Sequence, residues 1–347
     1  MPQLDVVVVG DGIAGRAAAI ALARSGVSVG LVRQATSSGV DIPETLAPMA
    51  MPLLKRLGLD LDRVDQTFPR IVSRLSRWGR GRMQRNDMLP RPTAALLLGK
   101  QRLYGLLRSK LGELDCEEFD VEQVCDVRPT DKGAVLRLRL SSAPAEQEIV
   151  GRMVIDATGR TSAIAHRLDV RRRIYDSLVS FWIVGKAGDA LRRATVTATV
   201  DDGWIFYVGT DAGQGALGFF TAGSHISGKP TAASIVERAC GVAEIAEAIT
   251  CCSDWAASPV TTRNAATTML ERPCGPGWLA CGDALQTVDP LASSGNLIAL
   301  KQGLLAAEAT KAALFGDQTL LNAYAVATRQ EFREVLAHRS RYYGLRS

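Results

Sequence analysis

The amino-terminal segment constrains the fold most strongly, because it joins an apolar run, a glycine-rich turn, an alanine-rich stretch and a second apolar run. Residues 5–33 read DVVVVGDGIAGRAAAIALARSGVSVGLVR. The uninterrupted run Val6–Val9 is typical of a parallel strand that is buried on both faces. Gly10, Gly12 and Gly15 have the GxGxxG spacing, which allows a tight turn, backbone approach to a pyrophosphate and close helix–strand packing. The segment therefore predicts a βαβ unit that binds a dinucleotide.

The helix that begins after the glycine turn is expected to hold the phosphates of this dinucleotide. Its first residues, Ile13 and Ala14, present free N–H groups and the positive end of the helix dipole. The second strand ends in Arg33, where an acidic residue usually binds the adenosine ribose. We expect Arg33 to lie over the adenine or to meet a phosphate, and the adenosine end to be held weakly. From this motif alone, NADP is also a candidate ligand.

Length and composition indicate an ordinary globular protein. The 347 residues exceed the roughly 100–200 residues of one typical domain, so one large domain or two interleaved domains is expected. No apolar run approaches the ~20 residues of a spanning helix, and no signal-peptide pattern precedes the first strand. We therefore expect no membrane span. The seven cysteines lack the paired CxxC spacing of zinc sites and fit reduced thiols, which predicts a cytoplasmic location and no metal.

The net charge of +5 comes with arginines concentrated in residues 70–108 and 160–173. A basic surface can attract nucleic acid. Here the basic residues are not interleaved with aromatic residues and form no known nucleic-acid motif. We therefore expect a solvated surface with a few phosphate ligands, and no nucleic-acid partner.

A distal segment decides between the candidate dinucleotides. Residues 278–308 read WLACGDALQTVDPLASSGNLIALKQGLLAAE. The pattern predicts a strand, a Gly-Asp pair, a loop with Asp-Pro, a turn of small residues and a long helix. A carboxylate after the strand can accept hydrogen bonds from polyol hydroxyls. N–H groups at the start of the helix can stabilise a developing negative charge.

This segment resembles the GD segment of the flavoenzyme family typified by para-hydroxybenzoate hydroxylase and the flavin-dependent tryptophan halogenases. In that family the Asp of GD binds the ribityl hydroxyls, and the turn after the Pro faces the isoalloxazine ring. The resemblance implies that Gly282 and Asp283 bind the ribityl chain, and that Pro290, Gly295 and Asn296 face the flavin. A NADP-dependent dehydrogenase has no need of this second element, so the expected cofactor is FAD.

Two weaker segments resemble further motifs of this family. VIDATGRTSAIAHRL at residues 154–168 resembles its central motif, which implies that Asp156 and Gly159 contact the cofactor. The DATG form favours the halogenase-like and tryptophan-modifying branch over the nicotinamide-coupled aromatic hydroxylases, which have DG. LLLGKQRLYGLL at residues 96–107 resembles the strand and helix where the family has an arginine that touches FAD. Lys100 stands at that position.

The resemblance implies an α/β fold in which a Rossmann-like FAD-binding domain is interleaved with a β-sheet substrate domain, as in para-hydroxybenzoate hydroxylase. The discontinuous FAD-binding domain is expected to comprise residues 1–75, 96–170 and 262–347. The substrate domain is expected to comprise residues 76–95 and 171–261.

The substrate sheet is indicated by residues 195–222, in which period-two alternation and β-branched residues predict strands. In the family such a sheet lies over the flavin. Trp204, Phe206 and Phe220 on these strands, together with Trp78, are therefore candidates for the substrate pocket. Packing in the core of the sheet is the alternative role for these rings.

The sequence around Trp78 resembles the SxWG stretch of flavoproteins that hydroxylate a peptidyl tryptophan in tryptophylquinone cofactor biogenesis. Those flavoproteins also have a C-terminal arginine with paired tyrosines, here Arg339, Tyr342 and Tyr343. A halogenase would need a lysine in the corresponding stretch of residues 70–89, RIVSRLSRWGRGRMQRNDML, which contains none.

The resemblance implies an FAD-dependent monooxygenase that hydroxylates an electron-rich aromatic ring through a flavin C4a-hydroperoxide. The substrate would be a small aromatic molecule or a tryptophan in a peptide or partner protein. NADH or NADPH would supply electrons, directly or through a separate reductase. The alternatives are a reductase or cyclase of the isoprenoid-reductase type, a halogenase without the usual lysine, and a non-catalytic FAD-binding maturation partner. No catalytic side chain is assigned, because the cofactor performs the difficult step.

Overall fold

The predicted βαβ unit forms at the amino terminus of the computed structural model, where parallel strands flank an alanine-rich helix. Val6–Val9 are buried on both faces of the sheet, as the apolar run predicts. The structure describes residues 3–34, 42–61, 68–88, 94–141, 145–226, 228–249 and 254–344.

The elements of these described residues are as follows. The helices are α1 (Ile13–Ala23), α2 (Ala50–Arg56), α3 (Lys100–Leu111), α4 (Ala163–Arg167), α5 (Ala232–Cys240), α6 (Ala243–Ile249), α7 (Gly295–Leu314) and α8 (Thr319–Gly344). The strands are β1 (Gln3–Val9), β2 (Val29–Gln34), β3 (Pro43–Leu46), β4 (Ser73–Arg77), β5 (Gln84–Asp87), β6 (Leu96–Gly99), β7 (Glu117–Thr130), β8 (Gly133–Leu140), β9 (Glu146–Asp156), β10 (Arg172–Ile174), β11 (Leu178–Lys186), β12 (Ala194–Val200), β13 (Gly203–Gly209), β14 (Gln214–Ala222), β15 (Thr261–Asn264), β16 (Thr268–Leu270), β17 (Cys274–Gly275), β18 (Trp278–Ala280) and β19 (Gln286–Thr287).

The first sheet has a parallel part in the order β7-β2-β1-β9-β18. β8 joins the long strands β7 and β9 by antiparallel pairing. Val9, Asp156 and Ala280 lie in register at the carboxyl ends of β1, β9 and β18. Three turns therefore leave the sheet side by side at the edge where parallel sheets bind ligands.

Helices α1 and α7 pack against each other beside this sheet. The contact is close because both helices carry small residues. A Cβ atom at Gly303 of α7 would lie 2.8 Å from the Cβ atom of Ala17. The alanines of α1 from Ala17 to Ala19 are fully buried. The sequence of α1 is therefore explained by helix–helix packing as well as by the glycine turn that precedes it.

The second sheet has the order β15-β11-β14-β13-β12-β4-β5. Its neighbours are antiparallel except for β12 and β4, which are parallel. One face packs under α5 and α6 and buries Phe181, Ile205, Tyr207 and Phe219. The alternating residues face the other way. The strands β12, β13 and β14 confirm the prediction from residues 195–222.

Two of the predicted domain boundaries cut strands of the second sheet. β4 pairs with β12, and β15 pairs with β11. The boundary expected after residue 75 lies within β4, and the boundary expected before residue 262 lies within β15. The division into two domains stays a prediction, and we propose boundaries before Ser73 and after Asn264.

Small sheets join these layers. β3 pairs with β6, and β10, β16 and β19 form a three-stranded sheet. α8 packs along α7. Within the part of the chain that the structure describes, no helix is long and apolar enough to cross a membrane.

Candidate functional site

The glycine turn after β1 forms one end of a cavity. Gly10 has a φ of +110°, and a Cβ atom there would lie 2.5 Å from the carbonyl carbon of Ala157. A Cβ atom at Gly15 would overlap the carbonyl oxygen of Gly10. The helix that starts here has no acidic residue in its first turn and no side-chain cap. Its first residues, with Gly12, line the cavity, so their N–H groups are available to an anionic ligand.

The second turn, after β18, contacts the first. Gly282 has a φ of +61°, and a Cβ atom there would lie 2.6 Å from the Cβ atom of Ala14. The N–H of Gly282 donates to Oε1 of the buried Gln302 at 2.9 Å. Asp283 lines the cavity, and its Oδ2 lies 3.7 Å from Nε of Arg160. The turn therefore places a half-exposed carboxylate and a guanidinium together at the middle of the cavity.

The third turn, after β9, is organised by Asp156, which is fully buried. Its carboxylate accepts hydrogen bonds from the N–H and hydroxyl of Thr158 and from the N–H groups of Ile164 and Ala165. Burial raises the pKa of this carboxyl, while these hydrogen bonds lower it. The oxygens of Asp156 thus bind groups of the protein itself, and contact of Asp156 with the cofactor stays a prediction. Gly159 of the same turn does line the cavity.

Asp156→Asn is expected to destabilise the protein by about 2–4 kcal/mol, because an amide NH₂ would face backbone donors that now share a carboxylate. Urea unfolding measures the change. The control is Asp169→Asn, the same substitution at an exposed residue whose φ of +55° suits Asn equally well. Equal stability of the two variants would contradict the assigned role.

The loop that precedes α7 lines a further part of the cavity. Pro290, Gly295 and Asn296 line the cavity together, and their contact with the flavin stays a prediction. Nδ2 of Asn296 donates to Oε2 of Glu44 at 2.8 Å, which fixes both side chains. α7 has neither an acidic residue in its first turn nor a side-chain cap. The first N–H groups of α7 and the positive end of its dipole therefore stabilise negative charge in this part of the cavity.

The cavity measures about 670 Å³ and reaches from the glycine turn to the second sheet. There it is lined by four aromatic rings, which we call the aromatic wall: Trp182, Trp204, Phe206 and Phe220. Trp204 stacks on Phe220 with 3.7 Å between ring centroids. Trp182 packs edge-on against Phe206 and Phe220 at 6.2 and 5.5 Å. The wall is therefore a rigid apolar surface on the side of the cavity away from the phosphate turns.

Trp78 does not line this cavity. Its ring packs against Trp204 from behind and against Tyr342 and Tyr343 of α8. Its indole N–H donates to the carbonyl oxygen of Tyr342. The C-terminal helix thus packs on Trp78, and a role of Trp78 in the substrate pocket stays a prediction.

Arg33 pairs with acidic residues of the neighbouring strand β7. Its Nε and Nη2 donate to Asp120 at 3.0 and 2.9 Å, and it forms an ion pair with Glu118. Arg33 does not line the cavity. Contact with a phosphate would require breaking these pairs, so its role toward the cofactor stays a prediction. The side chain of Lys100 lies outside the described residues.

Several residues in or beside the cavity were not identified from the sequence, and four of them have well-defined contacts. Trp182 belongs to the aromatic wall, and the alternation of β11 could have indicated it. Tyr104 lines the cavity near Gly12, and burial, with a smaller contribution from Glu44, raises its pKa to about 12, so it remains a hydrogen-bond donor. Arg16 is buried behind the glycine turn, where it donates to Asp11 and to the Tyr104 carbonyl. Arg160 follows the DATG sequence and faces Asp283.

The sequence matches the family described as FAD binding domain over residues 3–336. The chain belongs to this family. No curated protein matches the chain significantly. The family match makes the chain a flavoprotein and an FAD-dependent oxidoreductase.

Solved structures of similar fold include halogenases and hydroxylases. The myxobacterial chondrochloren halogenase CndH superposes with a TM-score of 0.85 at 20% identity, covering 100% of this chain and 84% of that one. The p-nitrophenol 4-monooxygenase PnpA from Pseudomonas putida DLL-E4 has a TM-score of 0.79 at 16% identity, covering 100% and 90%. The peptidyl tryptophan dihydroxylase QhpG has a TM-score of 0.74 at 21% identity, covering 99% and 76%. At these identities the similarity shows the fold, which is the para-hydroxybenzoate hydroxylase type expected from the sequence.

The residues of the cavity fit FAD, the cofactor of the family. The uncapped start of α1 lines the cavity, and Gly12 beside it has no side chain to occupy the space there, which suits a pyrophosphate. Asp283 offers carboxylate oxygens in the middle of the cavity, which suits ribityl hydroxyls. The start of α7 suits the pyrimidine side of the flavin ring. The contacts of individual residues with FAD stay predictions.

We expect the purified protein to lose part of its FAD on dialysis. Arg33 occupies the position of the usual ribose ligand, and a hydrogen bond to a carboxylate contributes about 1.5–3 kcal/mol. The ratio of flavin to protein absorbance before and after dialysis measures the loss, with a sample kept in excess FAD as the control. Full retention would show that another carboxylate holds the ribose, and Asp120 and Glu118 are the nearest to Arg33.

Proposed function

We propose that the chain is an FAD-dependent monooxygenase that hydroxylates an electron-rich aromatic ring. The observation that carries this proposal is the position of the aromatic wall. Trp182, Trp204, Phe206 and Phe220 line the same cavity as the glycine turn and the loop before α7. A planar substrate that packs on these rings lies between them and the turns that fit the cofactor.

Bound FAD supplies electron transfer and oxygen activation. The chain binds it through the N–H groups of α1 and the carboxylate of Asp283, and stabilises negative charge on the ring with the N–H groups of α7. The aromatic wall orients the substrate and excludes water from the reacting atoms. One oxygen atom of O₂ enters the substrate ring, the other leaves as water, and NADH or NADPH is the reductant, directly or through a separate reductase.

Hydroxylation is preferred over halogenation because the described lining of the cavity offers no candidate for the lysine that the halogenase mechanism needs. None of the described cavity-lining residues is a lysine, and residues 70–89 contain none. A small aromatic molecule and a tryptophan in a peptide both remain candidate substrates, the latter favoured by the fold shared with QhpG. The cytoplasm remains the proposed location, on the cysteine usage described above.

Product analysis tests the proposal. The FAD-loaded protein is incubated with NADH or NADPH, isotopically labelled O₂ and bromide. The substrates are phenol, indole, a tryptophan-containing peptide and an unsaturated isoprenoid, and a flavin reductase is added in a parallel series. Mass spectrometry is expected to show the gain of one labelled oxygen atom. Bromine incorporation would instead show a halogenase, and gain of two hydrogens by an isoprenoid substrate would show a reductase. If reoxidation of the flavin never yields a product, the chain is instead the non-catalytic FAD-binding maturation partner.

A further inference from the structure

The last turns of α8 connect the two sides of the cavity. Nε of Arg339 lies 3.2 Å from Oδ2 of Asp289 and 3.2 Å from Oδ2 of Asp176. Asp289 belongs to the loop before α7. Asp176 lies between β10 and β11, and its Oδ1 accepts from the N–H of Leu178 at the start of β11. One guanidinium therefore holds a carboxylate from the flavin side and a carboxylate at the base of the second sheet.

Asp289 determines the shape of the loop that it starts. Its Oδ1 accepts from the N–H of Leu291 at 2.9 Å, which closes the turn around Pro290. The side chain is 5% exposed, although the residue directly precedes the cavity-lining Pro290. Burial raises the pKa of this carboxyl, whereas hydrogen bonds from Leu291 and Tyr343 and the charge of Arg339 lower it. The loop conformation thus depends on groups supplied by α8.

Tyr343 joins this loop to the aromatic wall. Its hydroxyl hydrogen-bonds to Asp289 and accepts from the indole N–H of Trp204 at 3.1 Å. Arg339 lies over the Tyr343 ring, 4.4 Å from its centroid. Burial, and then the charge of Asp289, raise the pKa of the Tyr343 phenol, which keeps its proton for the hydrogen bond. A single hydroxyl thus contacts a residue of the wall and a residue of the flavin loop.

We propose that Tyr343 and Arg339 are positioning residues that fix the distance between the flavin loop and the aromatic wall, through Asp289 on one side and Trp204 on the other. The inference deepens the proposed function, because this distance sets where an aromatic substrate lies relative to the flavin. None of the three polar residues, Asp289, Arg339 and Tyr343, lines the cavity. They act on substrate and cofactor only through the groups that they hold.

The test compares Tyr343→Phe, Asp289→Asn and the double variant in the FAD-loaded protein. Tyr343→Phe keeps the ring that packs on Trp78 and removes only the hydroxyl. We expect Tyr343→Phe to change the visible circular dichroism and midpoint potential of the flavin, and the double variant to show no more change than Asp289→Asn. The dissociation constant of indole is expected to rise about five- to tenfold, as for one lost buried hydrogen bond.

Tyr342→Phe is the matched control, because Tyr342 contacts Trp78 through its ring and its carbonyl oxygen and its side chain is largely exposed. A flavin spectrum and potential of Tyr343→Phe equal to those of Tyr342→Phe would overturn the proposal, and so would additive changes in the double variant. Should Asp289→Asn fail to fold, the two tyrosine variants decide alone. If neither indole nor phenol binds the wild type, the proposed function is contradicted. The circular dichroism and midpoint potential of the flavin then still test whether Tyr343 and Arg339 are positioning residues.

Discussion

Gly15→Ala is expected to abolish stable FAD binding and to lower the free energy of unfolding by about 3 kcal/mol or more. The new Cβ atom would overlap the Gly10 carbonyl oxygen and lie 3.1 Å from Ala157 Cβ. Neither the Gly10 carbonyl nor the Ala157 Cβ atom can move away at a low cost in free energy. The backbone of Gly10 is held in a turn with a φ of +110°. The helix must therefore move away from the turn that fits the pyrophosphate. Flavin fluorescence titration and urea unfolding measure the two effects, and we expect FAD affinity to fall about a hundredfold, or ~2.7 kcal/mol.

Gly105→Ala is the matched control for this variant. Gly105 is also helical, in α3, and a Cβ atom there would meet nothing within 4 Å. Alanine at such a position stabilises by about 0.5–1 kcal/mol. If Gly15→Ala bound FAD as well as Gly105→Ala does, the glycine turn would not be the phosphate site.

Trp182→Ala is expected to raise the KM for an aromatic substrate about 10- to 100-fold while FAD stays bound. The substitution removes a ring that lines the cavity and packs edge-on against Phe206 and Phe220. Loss of such a contact corresponds to about 1–3 kcal/mol of binding. The loosened wall also admits water, so hydrogen peroxide should form in place of product. Steady-state kinetics with a peroxide assay measures both effects.

Phe181→Leu distinguishes the wall from the strand that carries it. Phe181 precedes Trp182 on β11 but faces the other way, where it packs on Phe219. We expect this variant to lose about 1–2 kcal/mol of stability without a change in KM. A KM shift as large as that of Trp182→Ala would mean that the sheet as a whole, and not its cavity face, sets substrate binding.

The sequence predicted the parts of the site that are encoded locally. The glycine turn, the GD turn and the loop before α7 are each short segments with a recognisable order of strand, turn and helix. Period-two alternation likewise predicted the strands that carry Trp204, Phe206 and Phe220. In each case the interactions that form the element lie within a few residues of one another, so that a single sequence contains the signal.

The sequence does not indicate the contacts of side chains whose partners are distant in the sequence. Asp156 has the same motif position whether it points at a ligand or into the protein, and helix α4 determines that it points inward. Trp78 is a candidate for the pocket through the resemblance of its segment to the SxWG stretch. It is covered by α8, which lies far away in the sequence. The carboxylates that pair with Arg33 lie on β7, and no local pattern indicates that pairing.

The parallel pairing of β4 with β12 has a consequence for folding during synthesis. β4 leaves the ribosome long before β12, and three strands of the first sheet, β7, β8 and β9, are made between them. Until β12 arrives, β4 and β5 form a two-stranded hairpin, which is marginally stable in water. Completion of the second sheet is thus a late, non-local step, which predicts slow folding and an exposed strand edge that chaperones would have to protect.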